Sequence, residues 1–273
     1  MTSTAVRSYP GPRTQHTVSA VGVIASEWIK LRSLRSSRWM LGMVLLAGPA
    51  ITVPLCAFIA VSGGAGQAVA LISSIWLAVG QILVAVTGVL SMSSEYGTGA
   101  IRSSLAAVPA RLPVLWSKAV ILFTICFVLG AVASLLSRAA AVLVLSARGI
   151  IEGSHSPDLI GSALLCACGS GLYLGLVAVF ALGVGTIVRA SAGSIVLVLA
   201  VFFVLPPVVS IVQSTMRIDW MSQVDGYLLS NAGSGLASPT DLDPTFWQNG
   251  AVALCWAVVS VIAAALTMRS RDT

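Results

Sequence analysis

Long, unbroken runs of apolar residues alternate with short polar stretches along most of the chain. Six of these runs have about 20 residues or more, the length that a helix needs to cross a hydrocarbon core of about 30 Å. They lie at about 39–61, 69–92, 118–138, 161–188, 192–213 and 248–268. None of them shows the alternation of apolar and polar residues that is typical of a membrane β-strand. The pattern therefore predicts an all-α integral membrane protein with six transmembrane helices.

The composition agrees with a membrane protein. Of the 273 residues, 57% are hydrophobic and only 9% are charged, and the mean hydropathy is +0.98, far from the balance of a water-soluble domain. The segment 1–38 is polar and basic, and it lacks the apolar core and small-residue cleavage site of a signal peptide. We therefore expect a basic amino-terminal segment at 1–38, a membrane domain at 39–268 and a short tail at 269–273.

Lysine and arginine are distributed unequally between the two sides that six helices define. Short cytoplasmic loops are enriched in these residues, so both termini are predicted to be cytoplasmic. The loop from about 214 to 247 is predicted to be external, with Trp220, Tyr227, Phe246 and Trp247 near the headgroups. The other side holds Arg148 and Arg217, and Arg138 lies near a helix end. The residues on the amino-terminal side are Arg7, Arg13, Lys30, Arg32, Arg35, Arg38, Arg102, Arg111, Lys118, Arg189, Arg269 and Arg271.

The predicted membrane interior offers little for ion coupling or catalysis. Within the six runs, the only Asp, Glu, His, Lys or Arg residues are Lys118 and Arg138, at the two predicted ends of the third helix. Secondary transporters commonly use a buried carboxylate or another titratable group, and the chain has no G-x-x-x-x-G-K-[ST] loop for a nucleotide phosphate. We therefore expect no enzyme activity, cofactor or metal site in this chain. Arg138 is expected to be an anchor at the outer interface, and a substrate contact is the alternative.

The sequence "EYGTGAIRSSLAAVPARLP" separates the second and third apolar runs. Ile101 and Leu105 recur at helical spacing after Thr98, which is a suitable N-cap, and Gly97 and Gly99 permit a tight reversal. The pattern predicts a short amphipathic helix on the cytoplasmic surface. A passive connector resting on lipid is the alternative interpretation, although it does not account for the acid and the two glycines.

A second amphipathic segment, "SEWIKLRSLRSSRW", precedes the first apolar run. Val21, Ile24, Trp28 and Leu31 share one side, as in a helix that lies in the headgroup plane. The polar positions around it are Glu27, Lys30, Arg32, Arg35 and Arg38. We therefore predict an ordered interfacial helix before the first membrane span.

Small residues and prolines inside the apolar runs mark places where close packing or bending is expected. The sequence "GLYLG" at 171–175 has the spacing that lets two helices approach closely. The motif either mediates dimerisation or occurs by chance in a glycine-rich chain. Pro49, Pro54, Pro206 and Pro207 are expected to interrupt the first and fifth helices, for gating or for packing.

The chain resembles the ABC-2 type transporter permeases, particularly the six-helix permeases common in actinobacteria. The resemblance rests on "SEWIKLRSLRSSRW" before the first helix, "EYGTGAIRSSLAAVPARLPVLWSKA" between the second and third, and "YLLSNAGSGL" before the sixth. It implies a bacterial cell-membrane protein, usually paired with a second permease copy and driven by a separate ATPase that uses ATP and Mg²⁺. The coupling segment that it implies comprises Glu95, Tyr96, Gly97, Thr98, Gly99, Ile101, Arg102 and Leu105.

These observations make the permease subunit of an ATP-binding cassette exporter the leading functional hypothesis. Two alternatives belong to other classes. One is a secondary transporter that needs no ATP, and the missing intramembrane carboxylates disfavour it. The other is a membrane anchor or sensory subunit that transports nothing.

Overall fold

A computed structural model gives the fold. It describes residues 35–58, 65–98, 111–149, 158–216, 221–238 and 242–270, together with Gly22, Ala25, Ser26, Trp28 and Ile29. Within these residues every regular element is an α-helix. The helices are α1 (Arg35–Phe58), α2 (Ala65–Thr98), α3 (Arg111–Ala147), α4 (Asp158–Val188), α5 (Ser191–Phe203), α6 (Leu205–Met216), α7 (Met221–Gly226), α8 (Leu229–Ala237) and α9 (Pro244–Ser270).

Six stretches of the described chain are long and apolar enough to cross a membrane: one each in α1, α2, α3, α4 and α9, and one formed by α5 with α6. For the described residues, the predicted all-α fold with six helices long and apolar enough to span a membrane is therefore confirmed. The second and third helices are longer than predicted, with 34 residues in α2 and 37 in α3. Lys118 and Arg138 consequently lie inside α3, and the prediction that they mark its two ends is wrong.

Prolines have different effects in the first and fifth spans. α1 continues through Pro49 and Pro54 without a break. The fifth span divides at Val204, between α5 and α6, and Pro206 and Pro207 fall in the first turn of α6, where a missing backbone donor is tolerated. The interruption predicted from the prolines is thus confirmed only in the fifth span.

The end of the bundle at which α2 ends and α3 begins is called the base here, and the other end is called the far end. α1 and α3 run parallel, because Gly48 lies against the carbonyl oxygen of Ala133 and Thr52 shares a hydrogen bond with Ser137, 85 residues away. The same offset places Arg38 level with Phe123. Both α1 and α3 therefore begin at the base.

α4 is the central helix, and glycines let its neighbours approach it closely. A Cβ atom on Gly171 would lie 2.5 Å from the carbonyl oxygen of Phe127 in α3, and one on Gly175 would lie 2.9 Å from the ring of Phe123. The "GLYLG" motif therefore packs within the chain, and dimerisation through it is wrong. On its other sides α4 brings Gly185 against α2 and Gly183 against α9. Such small-residue packing holds helices together in lipid, where apolar burial from water contributes little.

Hydrogen bonds between buried side chains cross the middle of this bundle. Because an unsatisfied polar group in hydrocarbon is costly, such pairs fix the register of neighbouring helices. The pairs join α1 to α3, α3 to α4 and α4 to α2. They are Thr52 with Ser137, Ser134 with Ser170, and Tyr173 with Gln81.

Residues 227–237 turn back into the bundle from the far end. The indole Nε1 of Trp256 donates a 3.0 Å hydrogen bond to the carbonyl oxygen of Tyr227, and Trp256 lies about 12 residues, or about 18 Å, along α9. The α8 helix then packs Gly233 against the ring of Tyr173 and places the Leu236 carbonyl against Gly169. The backbone of Tyr227 therefore lies beside Trp256, about midway along α9, and the predicted place of its side chain among the headgroups stays a prediction.

Candidate functional site

The carboxyl end of α2 carries a buried acid that is paired with a lysine of α3. The Nζ atom of Lys118 donates a 2.7 Å hydrogen bond to Oε1 of Glu95, and the two side chains are only 4% and 5% exposed. The same Nζ atom donates to the carbonyl oxygen of Ser91, 3.1 Å away. Lys118 thus contacts both a carboxylate and the backbone of the last turns of α2. A cation at this end of a helix also interacts favourably with the helix dipole.

This ion pair fixes the distance between α2 and α3 at the base. Removing two charges from water costs several kcal/mol for each ion, and only close geometry with further hydrogen bonds compensates for it. Once the pair is formed, removal of one partner leaves the other charge buried, at a cost of about 3–5 kcal/mol. The ends of α2 and α3 therefore cannot separate without exposing or neutralising both groups.

The next residue, Tyr96, contacts the reversal between α4 and α5. The guanidinium carbon of Arg189 lies 5.2 Å from the centroid of the Tyr96 ring, within the range of a cation–π interaction. Arg189 has a positive φ of 58°, a backbone conformation that is uncommon for residues other than glycine. Its backbone N–H still donates to the carbonyl oxygen of Gly185. The left-handed turn at Arg189 thus directs its side chain toward the end of α2.

Glu95, Tyr96, Lys118 and Arg189 form what we call the base cluster. Its members come from the end of α2, the beginning of α3 and the α4–α5 reversal, so three helix termini are connected through four side chains. The cluster also flanks residues 99–110, because two of its members precede them and Lys118 follows them. The cluster therefore links the end of α2 to α3 and to the α4–α5 reversal.

The predicted coupling residues fall into three groups. Glu95 is buried, and its charge-assisted partner lies on a neighbouring helix of the same chain. Gly97 and Thr98 are the last two residues of α2, so the predicted reversal does not begin at Gly97. The helix that Thr98 was predicted to cap lies outside the described residues, and that N-cap stays a prediction. The predicted amphipathic helix, with Gly99, Ile101, Arg102 and Leu105, lies outside the described residues.

Little of the predicted interfacial helix falls within the described residues. Trp28 is helical and half exposed, as is Ile29 beside it. Arg35 is the first residue of α1, whereas Glu27, Lys30 and Arg32 lie outside the described residues. The amphipathic character of the segment remains a prediction.

At the far end, the side chain of Arg148 contacts the carboxyl terminus of α1. Its Nη1 atom donates a 2.6 Å hydrogen bond to the carbonyl oxygen of Cys56, in the last turn of α1, where a cation is favourable. Arg138 is partly buried on α3, one residue after Ser137, which bonds to α1. The anchoring role predicted for Arg138 remains a prediction, and Arg148 is an anchor that the sequence did not indicate.

The sequence analysis also did not predict the ion pair of Lys118 with Glu95 or the contact of Arg189 with Tyr96. One signal for the ion pair was available, because Glu95 and Lys118 are isolated charges that flank the same connection between two apolar helices. No comparable signal marks the turn at Arg189. Among the described residues, no group of three or more His, Cys, Asp or Glu side chains could hold a metal ion.

No protein-family model matches the chain, and comparison with curated proteins gives no match. Among the described residues, the base cluster is the arrangement that suggests a function.

Proposed function

We propose that this chain is the membrane-spanning permease subunit of an ATP-binding cassette exporter, driven by a separate ATPase that docks at the base. The observation that carries the proposal is the base cluster. Its buried ion pair and its cation–π contact connect the ends of three helices on both sides of residues 99–110. A partner that pushes or pulls this connection would move α2, α3 and the α4–α5 reversal together.

The distribution of acids supports an external source of energy. Glu95 is the only buried acid among those whose exposure is described, and Lys118 neutralises it at the base. The long apolar stretches of α3 and α4 contain no acid at all. An ion-coupled transporter commonly requires a titratable group along the path, so ATP hydrolysis in another subunit is the favoured drive. The resemblance to ABC-2 permeases leads to the same proposal.

The base is the cytoplasmic end in this proposal. Lys118, Arg189 and Arg269 lie at the base within α3, the α4–α5 reversal and the end of α9, in agreement with the enrichment of basic residues in cytoplasmic loops. The chain would then be a multi-pass protein of the bacterial cell membrane. Two copies would face each other, because two ATPase subunits are needed to enclose nucleotide between them and symmetric assembly supplies the second permease.

A photo-crosslinking experiment tests the proposal directly. Gly97 is exposed, and a side chain added there would meet nothing within 4 Å, so this position accepts a benzoylphenylalanine residue. Thr245, which is exposed at the far end in the first turn of α9, is the matched control. Irradiation of cells that express the full chain should link position 97 to an ATP-binding cassette ATPase, and position 245 should give no such product.

Purification of the complex provides the second readout. The chain should co-purify with the same ATPase, and the complex should hydrolyse ATP in liposomes. If neither position crosslinks to an ATPase and the chain alone moves solutes under an ion gradient, it is a secondary transporter and the proposal is wrong. If the chain neither binds an ATPase nor moves any solute, the anchor or sensory hypothesis replaces it.

A further inference from the structure

An open groove separates α1 from α3 near the base. Its volume is about 410 Å³, and its walls are formed mainly by Leu41, Gly42 and Leu45 of α1 and by Ile125, Val128 and Leu129 of α3. Thr124 also lines it, but its hydroxyl group already donates to the carbonyl oxygen of Val120 at 2.8 Å. The walls therefore require no hydrogen bonds from an occupant.

The groove lies nearer to the base than the close contact between α1 and α3. Farther along the helices the two backbones are in close contact, since a Cβ atom on Gly48 would lie 2.7 Å from the carbonyl oxygen of Ala133. Six residues nearer to the base, a Cβ atom on Gly42 would meet nothing within 4 Å. The missing side chain of Gly42 thus leaves part of the groove open.

The rim of the groove toward the base is cationic. Arg38 is exposed there, and it makes no ion pair with any residue that the structure describes. The apolar span of α1 starts at Arg38, and the adjacent Trp39 is 72% exposed, as is typical of tryptophan at a membrane interface. The guanidinium group therefore lies at headgroup level, and the apolar walls extend from it toward the membrane interior.

We infer that this groove binds one anionic phospholipid, with an acyl chain between α1 and α3 and the phosphate on Arg38. An apolar groove on the surface of a membrane-spanning bundle meets hydrocarbon, and a charge at its rim selects the headgroup. Arginine is well suited to a phosphate, because its planar guanidinium group donates two parallel hydrogen bonds. Trp28 also lines the groove, where its indole adds an amphipathic surface at the interface. This site does not depend on the proposed transport function.

Native mass spectrometry of the full chain in mild detergent tests the inference. Wild-type protein should retain one phospholipid per chain. In a titration with lipids of equal chain length, phosphatidylglycerol should bind about fivefold more tightly than phosphatidylcholine, as expected for one basic side chain near an anionic surface. Arg38→Gln should abolish this preference, while Arg269→Gln, a change to an exposed cation at the end of α9, should keep it.

Filling the groove is the complementary test. Gly42→Phe should displace the lipid, whereas Gly250→Phe should not, although Gly250 is likewise surrounded by open space. Leu45→Trp provides a second filling variant, and unfolding midpoints identify any variant that fails to fold. Retention of lipid in both folded filling variants would overturn the inference, as would an unchanged preference in Arg38→Gln. Loss of a dimer without loss of lipid in Gly42→Phe would assign the groove to a second copy and overturn it as well.

Discussion

Tyr173 donates a 2.6 Å hydrogen bond to Oε1 of Gln81, and both residues are buried in the middle of the bundle. This bond joins the central helix α4 to α2. Tyr173→Phe keeps the ring and removes the donor, so the amide oxygen of Gln81 loses its partner in an apolar environment. We expect a loss of about 1 kcal/mol in the free energy of unfolding, measured as a lower thermal midpoint in detergent.

The matched control is Tyr227→Phe, because Tyr227 is 56% exposed. The thermal midpoint of this variant should equal that of the wild type. A double-mutant cycle with Gln81→Leu isolates the interaction between the two side chains. A coupling energy of zero would show that the bond contributes nothing to stability.

The α8 helix packs against the ring of Tyr173, and Gly233 is the residue that lies directly on the ring. Gly233→Ala should force the ring or the helix to move, and overpacking of this kind costs about 1–3 kcal/mol. Gly226→Ala is the control, since a side chain at Gly226 would meet nothing within 4 Å. We expect a lower unfolding midpoint only for Gly233→Ala. Equal midpoints would mean that α8 does not occupy its place beside α4.

The ion pair at the base makes a different prediction from the one that the sequence alone suggests. The resemblance found in the sequence assigns Glu95 to a coupling segment between two spanning helices, and in that role Glu95→Ala would disturb coupling and leave the folded bundle intact. Because Glu95 is buried against Lys118 within α2, the single change should instead lower the free energy of unfolding by about 3 kcal/mol or more. The measurement is the thermal midpoint of the purified chain, and Ser94→Ala, at an exposed neighbouring position, is the control.

Removing both charges separates stability from coupling. Glu95→Leu with Lys118→Met should recover most of the lost stability, because an apolar pair of similar size avoids the desolvation cost. If the double variant is stable but no longer co-purifies with the ATPase or supports its activity, the pair acts in coupling. A double variant that is stable and fully active would limit the pair to a structural role.

The sidedness of the bundle can be read from cysteine labelling in intact cells. In a background that lacks the exposed Cys168 and Cys255, we expect Thr245→Cys to react with a membrane-impermeant maleimide. Gly97→Cys should react only after the membrane is permeabilised. The opposite pattern would place the base outside the cell and contradict the proposed docking site.

The spanning helices were predictable because each is a local property of the sequence. A run of about 20 apolar residues has few alternatives in a bilayer, and α4, for example, begins and ends within a few residues of its predicted bounds. The end of α2 was predicted less well, because the polar residues of "SSEYGT" suggest an exit from the membrane. In the structure the helix continues through Thr98, since Lys118 and Arg189 provide partners for its polar side chains.

The existence of α8 was predictable from the sequence pattern, but its position inside the bundle was not. Leu229, Ala232, Gly233, Leu236 and Ala237 recur at helical spacing and form its buried face, so an amphipathic helix was readable. Its depth depends on Tyr173, Gly169 and Trp256, which lie on other helices. Contacts between distant parts of the chain leave no periodic signal, and the Glu95–Lys118 pair was missed for the same reason.

The central position of α4 has a consequence for how the chain is assembled during synthesis. α1, α2 and α3 leave the ribosome first, and the glycine-lined surfaces that α2 and α3 pack against belong to α4. Until α4 has entered the bilayer, Gln81 has no tyrosine to bond and Ser134 has no serine to bond. A nascent chain halted before α4 would therefore present unsatisfied polar groups to lipid, which makes the fourth helix the point at which quality control can distinguish a completed core from an unfinished one.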